Sequence, residues 1–434
     1  MVARIVRFLS YFAACWLVVL AFSGASSFAQ SKDNLITANE LIEKALESNL
    51  ELVAFRLEIE KARARLKQAG LRPNPSLDFE YTTGKLTNSI NEEKAFVGFS
   101  LPLELGAKRQ KRIDLAQIEI AIAENTVVDR ERRLANEIYV VYSEALAAKR
   151  ELEIIDKLNN LDSQTVKVVE VRIKEGDSAP LELNLLKVEL ERLKSRRHLA
   201  EGRLQAAMLR LKSVVGIAFD QPLELKENFF SSQNIQTKYS LNEALALALQ
   251  TRPDLKTAQL LEQAAQTGLQ LAKSQVVPDL VLSTRYSREN SGFDETPVGI
   301  LKDKDDLLTF GVSITLPVFN RNQGNQVDAK ISITQAKQRR EFLEHLIKAE
   351  VTAAYARYQS SQLAVNSFEQ GVIAQSANNL RIFKEVYNLG ELKVTDLISE
   401  QRRLVDSERE YTELLTERYK ALAELNTAIG GRSK

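Results

Sequence analysis

The sequence predicts a mostly α-helical chain with a membrane-directed β part, built as a duplicated strand–strand–long-helix–hairpin unit. Three observations lead there. The stretch from Ala107 to Glu175 contains no glycine and no proline. Two short segments of alternating polarity precede it. The same order of elements and breakers then returns at an offset of 203 residues, with Ser240 where Thr37 stood.

The first 29 residues read as a secretory signal. Arg4 and Arg7 give a positive start, an apolar run through Trp16, Leu17 and Val18 follows, and Ser27-Phe28-Ala29 is a small-x-small cleavage site. The run falls short of the ~20 residues that a spanning helix needs. The single cysteine, Cys15, lies inside it. Trp16 to Phe22 stay apolar where a lipoprotein would turn polar, so lipid attachment at Cys15 is not expected. Removal of the signal leaves no thiol, which excludes disulfides, thiolate catalysis and cysteine-ligated metal.

Thr37-Ala38-Asn39-Glu40 opens a helix, with Thr37 as its N-cap, that is expected to run to Leu71 before Pro73 and Pro75. Leu77, Phe79 and Tyr81 then alternate with Asp78, Glu80 and Thr82, the pattern of a two-faced strand. Residues 83–94 read as a polar loop, and Val97, Phe99 and Leu101 as a second strand ending at Pro102. The long helix follows. Unbroken, its roughly 69 residues would reach about 100 Å. Leu134, Ile138, Val141, Ala145, Ala148, Leu152 and Ile155 step by four and three along it, a coiled-coil seam that neighbouring helices must cover. Gly176 to Pro180 break it, and a return helix is expected over 181–215.

The second copy repeats each part. Residues 240–272 predict a helix, Leu280 to Tyr286 a strand, 287–306 a polar loop, and Phe310 to Leu316 a strand ending at Pro317. A second long helix is expected from Asn325 to Leu389, broken at Gly390 as the first is at Gly176. The chain therefore divides into a signal (1–29), a first repeat (30–216), a connector (217–239) and a second repeat (240–431). Length arithmetic stacks 181–215 on 240–272, and 394–429 on 37–71, so that each long helix lies beside two half-length ones. All strands then fall at one end, and the Gly176 and Gly390 turns at the other.

The composition excludes several functions. Formal net charge is +1 with charged residues interspersed, which is no electrostatic footprint for nucleic acid. His198 and His345 stand alone within charged helix. Met208 is the one methionine beyond Met1, too few soft ligands for a thioether metal site. No nucleophile–base constellation is apparent, so no enzyme, cofactor or metal site is expected. Four strands with one apolar face each would leave unpaired backbone groups in a bilayer. Closed membrane barrels need about eight strands or more, so several chains would have to share one. A secreted coiled-coil scaffold with soluble strands is the competing class.

The segment Val386-Tyr387-Asn388-Leu389-Gly390-Glu391-Leu392-Lys393-Val394-Thr395-Asp396-Leu397-Ile398 is similar to the helix-turn-helix signature of the TolC family of outer-membrane efflux proteins. Gly176 to Leu181 is a weaker copy, with Glu182 where the second repeat has Asp396. Leu-Pro-Leu-Glu-Leu-Gly at 101–106 and Leu-Pro-Val-Phe-Asn-Arg-Asn-Gln-Gly at 316–324 resemble strand-to-helix junctions of its CzcC/CusC-like heavy-metal branch. The resemblance covers the whole mature chain. It implies a homotrimer in which four strands per chain build one 12-stranded β-barrel in the outer-membrane lipid, above a trimeric periplasmic α-barrel. It implies a passive duct that docks onto a periplasmic adaptor (membrane fusion) protein and an inner-membrane pump of the RND type. A protein-secreting duct of the same fold is the alternative.

Under that resemblance Gly176, Asp177, Gly390 and Glu391 form the periplasmic tip that meets the adaptor. Asp396 and Asp177 have two readings, as turn and cap residues or as carboxylates ringing an aperture. Asp78, Glu80 and Arg285 fall on the polar strand face, which in a barrel lines the lumen.

Overall fold

The structure, a computed structural model, describes residues 35–87, 92–226, 239–293 and 301–431. The signal at 1–29 and connector residues 227–238 lie outside the described residues. In chain order the elements are β1 (Leu35–Ile36), α1 (Ala38–Ser48), α2 (Leu50–Ala69), β2 (Ser76–Thr83), β3 (Glu93–Leu103), α3 (Lys108–Glu175), α4 (Pro180–Val215), β4 (Glu224–Leu225), α5 (Leu241–Thr251), α6 (Pro253–Ser274), β5 (Leu280–Phe293), β6 (Leu301–Ile314), α7 (Gln323–Phe368), α8 (Ala374–Asn388) and α9 (Val394–Ala428).

The long helix α3 is continuous over 68 residues, and Leu134, Ile138, Val141, Ala145 and Ile155 of its seam are buried. Its second-repeat counterpart is also helical throughout, from Gln323 to Asn388, but not uniformly α-helical. Between α7 and α8, Glu369–Ile373 form one π-helical turn around Gly371. The extra residue in that turn shifts the local hydrogen bonding from i→i+4 to i→i+5 and offsets the face that follows, while the helix runs on.

The two expected half-length helices at the start of each repeat are each split. Both begin with a reciprocal capping box, Thr37 with Glu40 and Ser240 with Glu243. The first breaks at Asn49, which is extended (φ −68°, ψ 116°), and the second at Arg252, where Pro253 takes the first position of α6. Proline is tolerated there because that N–H has no helical partner.

The breaks are where the return helices end, and they reverse the expected stacking. Asn49 Oδ1 accepts the Leu52 N–H at 2.9 Å while its Nδ2 donates to the Val214 carbonyl at 2.8 Å. One side chain thus caps the start of α2 and the end of α4. At the second joint Thr251 Oγ1 donates to the Ile429 carbonyl at 2.8 Å, and Arg252 to that of Ala428 at 3.4 Å. So α4 continues into α2, and α9 into α6, within one repeat and not across repeats. The lengths fit either pairing; hydrogen bonds at helix ends decide it.

These joints are sealed by two apolar cores. One gathers Leu41, Ile138, Tyr142, Leu211, Tyr411 and Leu415. The other gathers Ala248, Leu255, Ile347, Val351 and Leu425. The connector joins the first: β4 pairs in parallel with β1, and Leu223 and Leu225 are buried there.

β2, β3, β5 and β6 form one antiparallel sheet in the order β2-β3-β5-β6. The loop expected over 287–306 is largely strand, since β5 and β6 are 14 residues each. Polar sequence made it look like a loop. The ladder instead pairs the polar residues across strands: Arg288 Nε lies 2.8 Å from Asp306 Oδ1, and Lys94 pairs with Glu289.

Candidate functional site

The first part of the site is the sheet. Register places Asp78, Gly98, Arg285 and Thr309 in one row, and Glu80, Phe96, Ser287 and Leu307 in the next, on the same face. The expected polar residues Asp78, Glu80 and Arg285 are therefore brought together. Arg285 lies over the Phe96 ring at 4.2 Å, a cation–π contact on that face. The opposite face carries Leu77, Phe79, Val97, Phe99, Phe310 and Val312. Phe79 is 73% exposed and Phe310 78%, so this chain alone leaves an apolar sheet face uncovered. Among the described residues no helix is long and apolar enough to cross a membrane.

The second part is the pair of turns at the far end of the helices. Both are Schellman motifs. At the first, Gly176 N–H donates to Ile173 O (3.2 Å) and Asp177 N–H to Arg172 O (2.8 Å). At the second, Gly390 N–H donates to Tyr387 O (3.0 Å) and Glu391 N–H to Val386 O (3.2 Å). Gly176 and Gly390 sit at φ 86° and 82°, the left-handed region this motif requires. Asp177 and Glu391 serve the turns through backbone N–H groups, which leaves both side chains exposed.

Asp396 is exposed in the first turn of α9, three residues after the N-cap Lys393. Its own N–H donates to Lys393 O at 3.0 Å, and no side chain caps this helix. The cap reading therefore reduces to charge at the positive end of a helix.

The two turns are held side by side. Arg172 near the end of α3 donates to the Asn388 carbonyl and, at 3.5 Å, to that of Tyr387, and its guanidinium stacks on the Tyr387 ring at 5.9 Å. A cation thus closes the carbonyl end of α8. Beneath lies an apolar core of Val169 from α3, Leu186 from α4, Tyr387 from α8, and Val394 and Leu397 from α9. Burial raises the Tyr387 phenol, with the Glu182 charge adding to the effect.

Sequence reading missed a buried polar layer one level deeper. Asp162 on α3 is 1% exposed and accepts from Gln401 Nε2 on α9 at 2.6 Å. Beside it Glu189 on α4 is bound by Arg402 of α9. The available signal was Asp162 alone, which falls seven residues after Ile155 where the continued seam of α3 calls for an apolar residue. Among the described residues no cluster of histidine, cysteine and carboxylates could hold a metal ion.

A two-faced antiparallel sheet with one apolar face uncovered, joined to long helical hairpins, is the arrangement expected of a chain that gives its strands to a membrane barrel. The model described as outer membrane efflux protein matches residues 41–217 and 244–431, and the chain belongs to that family. It is 23% identical to the cobalt-zinc-cadmium resistance protein CzcC of Cupriavidus metallidurans over 91% of this chain and 90% of the relative. Identity with the outer membrane protein TolC of Vibrio cholerae is 21%, covering 96% and 95%. Among solved structures, CusC superposes with a TM-score of 0.73 at 22% identity, covering 91% of this chain and 92% of that one. The open state of Neisseria gonorrhoeae MtrE does so with 0.73 at 19% identity, covering 92% and 89%. The family consists of efflux channels, and the chain is not an enzyme.

Proposed function

We propose that three copies of this chain form a passive duct that carries divalent metal cations from a periplasmic adaptor and an RND-type inner-membrane pump to the exterior. One observation supports this most: the sheet is two-faced, and β2 and β6 are paired on one side only. Joining β6 of one copy to β2 of the next closes a barrel without unpaired edges in lipid. With three copies the barrel has twelve strands, within the range of such barrels. Asp78, Glu80 and Arg285 then line a wet lumen.

At the other end Gly176, Asp177, Gly390 and Glu391 form a crown of turns that meets the adaptor. The exposed carboxylates of Asp396 and Asp177 ring the aperture. The reading of cations as cargo draws on the likeness to a cobalt-zinc-cadmium resistance protein. Its test is cellular: a strain lacking this chain, loaded with zinc or cobalt, should accumulate metal, and the intact chain should reverse that. Equal metal content with and without the chain would remove metal from the reading and leave organic compounds or proteins as cargo.

A further inference from the structure

Asp162 and Gln401 lie where the first hairpin (α3 and α4) meets α9 of the second. Gln401 Nε2 donates to Asp162 Oδ1 at 2.6 Å, while Gln401 Oε1 is buried with no hydrogen-bond partner. A buried carbonyl oxygen without a donor is costly, because water would otherwise have bonded to it. A carboxylate cannot supply that donor, and a carboxylic acid can. Acid and amide are complementary: the amide N–H donates to one carboxyl oxygen, and the carboxyl O–H donates to the amide oxygen.

We propose that Asp162 and Gln401 are a proton-operated latch between the two hairpins: protonated, they close a ring of two hydrogen bonds that holds the periplasmic end shut, and ionised, they keep only one. The consequence for a duct rests on the function proposed above; the latch itself does not.

The surroundings favour the acid form. On α3, Leu158 and Val166, one turn away on either side, are buried and uncharged. On α4 the facing group is Glu189, which stays ionised: burial works against its charge, but Arg402 outweighs it with Nε 3.3 Å from Oε1, and Arg192 lies at 3.5 Å. Arg196 adds a weaker effect on Glu189. On α9, Arg402 is turned to Glu189 and Glu400 is engaged by Arg403 at 3.2 Å, so Gln401 alone reaches Asp162. α8 contributes the apolar Leu380 and Phe383 to this end of the bundle. Among the described residues Asp162 thus faces a negative neighbour and no cation. Burial, opposed by the Gln401 hydrogen bond and reinforced by Glu189, raises its carboxyl from 3.8 to about 6.

The sign follows from proton binding. Between 3.8 and about 6 the closed joint holds more protons than a joint opened to water, so closure weakens as pH rises through that window and is level above it. From pH 5 to pH 7.5 this amounts to about a tenfold rise in the opening equilibrium of each chain. The device would keep the duct tighter in acidified surroundings.

The test uses the full-length protein in lipid nanodiscs. Hydrogen–deuterium exchange of amides 394–404, corrected for the intrinsic rate, is compared at pH 5 and pH 7.5 with conductance in planar bilayers. Wild-type opening should rise about tenfold between the two. Asp162→Asn, whose amide can donate to Gln401 Oε1 at any pH, should keep the pH 5 value throughout. Infrared difference spectra of the wild type should lose a protonated-carboxyl band near pH 6 that Asp162→Asn lacks; this readout stands even if the variant folds poorly. Exchange without pH dependence, the same dependence in Asp162→Asn, or no such band overturns the latch. If exchange and infrared behave as described but no conductance is seen at either pH, the latch holds and the duct reading falls.

Discussion

Replacing Arg252 by methionine should loosen the joint between α9 and α6 far more than its surface area suggests. Arg252 is 5% exposed; its guanidinium lies 2.6 Å from Asp254 and 2.6 Å from Glu350, and reaches the carbonyl of Ala428. Burial works against both charges, yet Asp254 and Glu350 hold the guanidinium above its usual range and Arg252 holds the Asp254 carboxyl below its own. Methionine fills much of the same volume and removes only the charge and donors. Asp254 would keep one cation, Arg132, at 4.0 Å. Breaking a buried pair costs about 3–5 kcal/mol, and the remaining arginine puts this case near 3. With a guanidinium slope of about 6 kcal/mol/M, the midpoint of helix unfolding should fall by about 0.5 M.

The pH dependence should also change sign. In the wild type the Asp254 contribution is present above 3.8 and is lost as pH falls through its lowered value. In Arg252→Met the carboxylate is buried with less compensation, so acid should stabilise. Adding Asp254→Asn should return about half of the loss, which a double-mutant cycle by far-UV ellipticity can read. A loss under about 1 kcal/mol, or no recovery in the double variant, would refute the reasoning that this ion pair fastens the joint.

Three further expectations concern the ends of the molecule. Gly390→Val places a branched side chain at φ 82° where, among the described residues and apart from its chain neighbours, no atom lies within 4 Å of the new Cβ, so the cost is backbone strain of about 1–2 kcal/mol. Chains should still assemble while adaptor cross-linking and efflux fail; full efflux with normal cross-linking would mean that the tip is not the docking surface. Asp396→Ala should raise single-channel conductance by opening the crown, and unchanged conductance would leave Asp396 as a helix-end charge only. An epitope inserted between Phe293 and Leu301 should be labelled on intact cells, whereas labelling only after permeabilisation would reverse the topology.

Much of this arrangement was legible because it depends on local chemistry. Breakers at Gly176 and Gly390, capping residues at Thr37 and Ser240, and alternation at Leu77–Thr82 each act within a few residues. What escaped depends on contacts distant in sequence. Asn49 looks like ordinary helix surface until the end of α4 is placed against it, whereas the break at Arg252 is marked locally by Pro253 and only its contact with the end of α9 was hidden. Arg288 and Asp306 look like loop residues until the ladder pairs them. Asp162, Glu189 and Gln401 come from three helices, and their burial appears only when the hairpins pack. The π turn at Glu369–Ile373 carries no local marker beyond Gly371, since one glycine is tolerated in a regular helix.

The central claim is that copies of this chain close one barrel between them, and the most direct measurement is the protein mass in detergent. Light scattering corrected for bound detergent, on protein whose circular dichroism retains the β contribution, should give three mature chains per particle. A monodisperse single chain with that β signal intact would contradict the account.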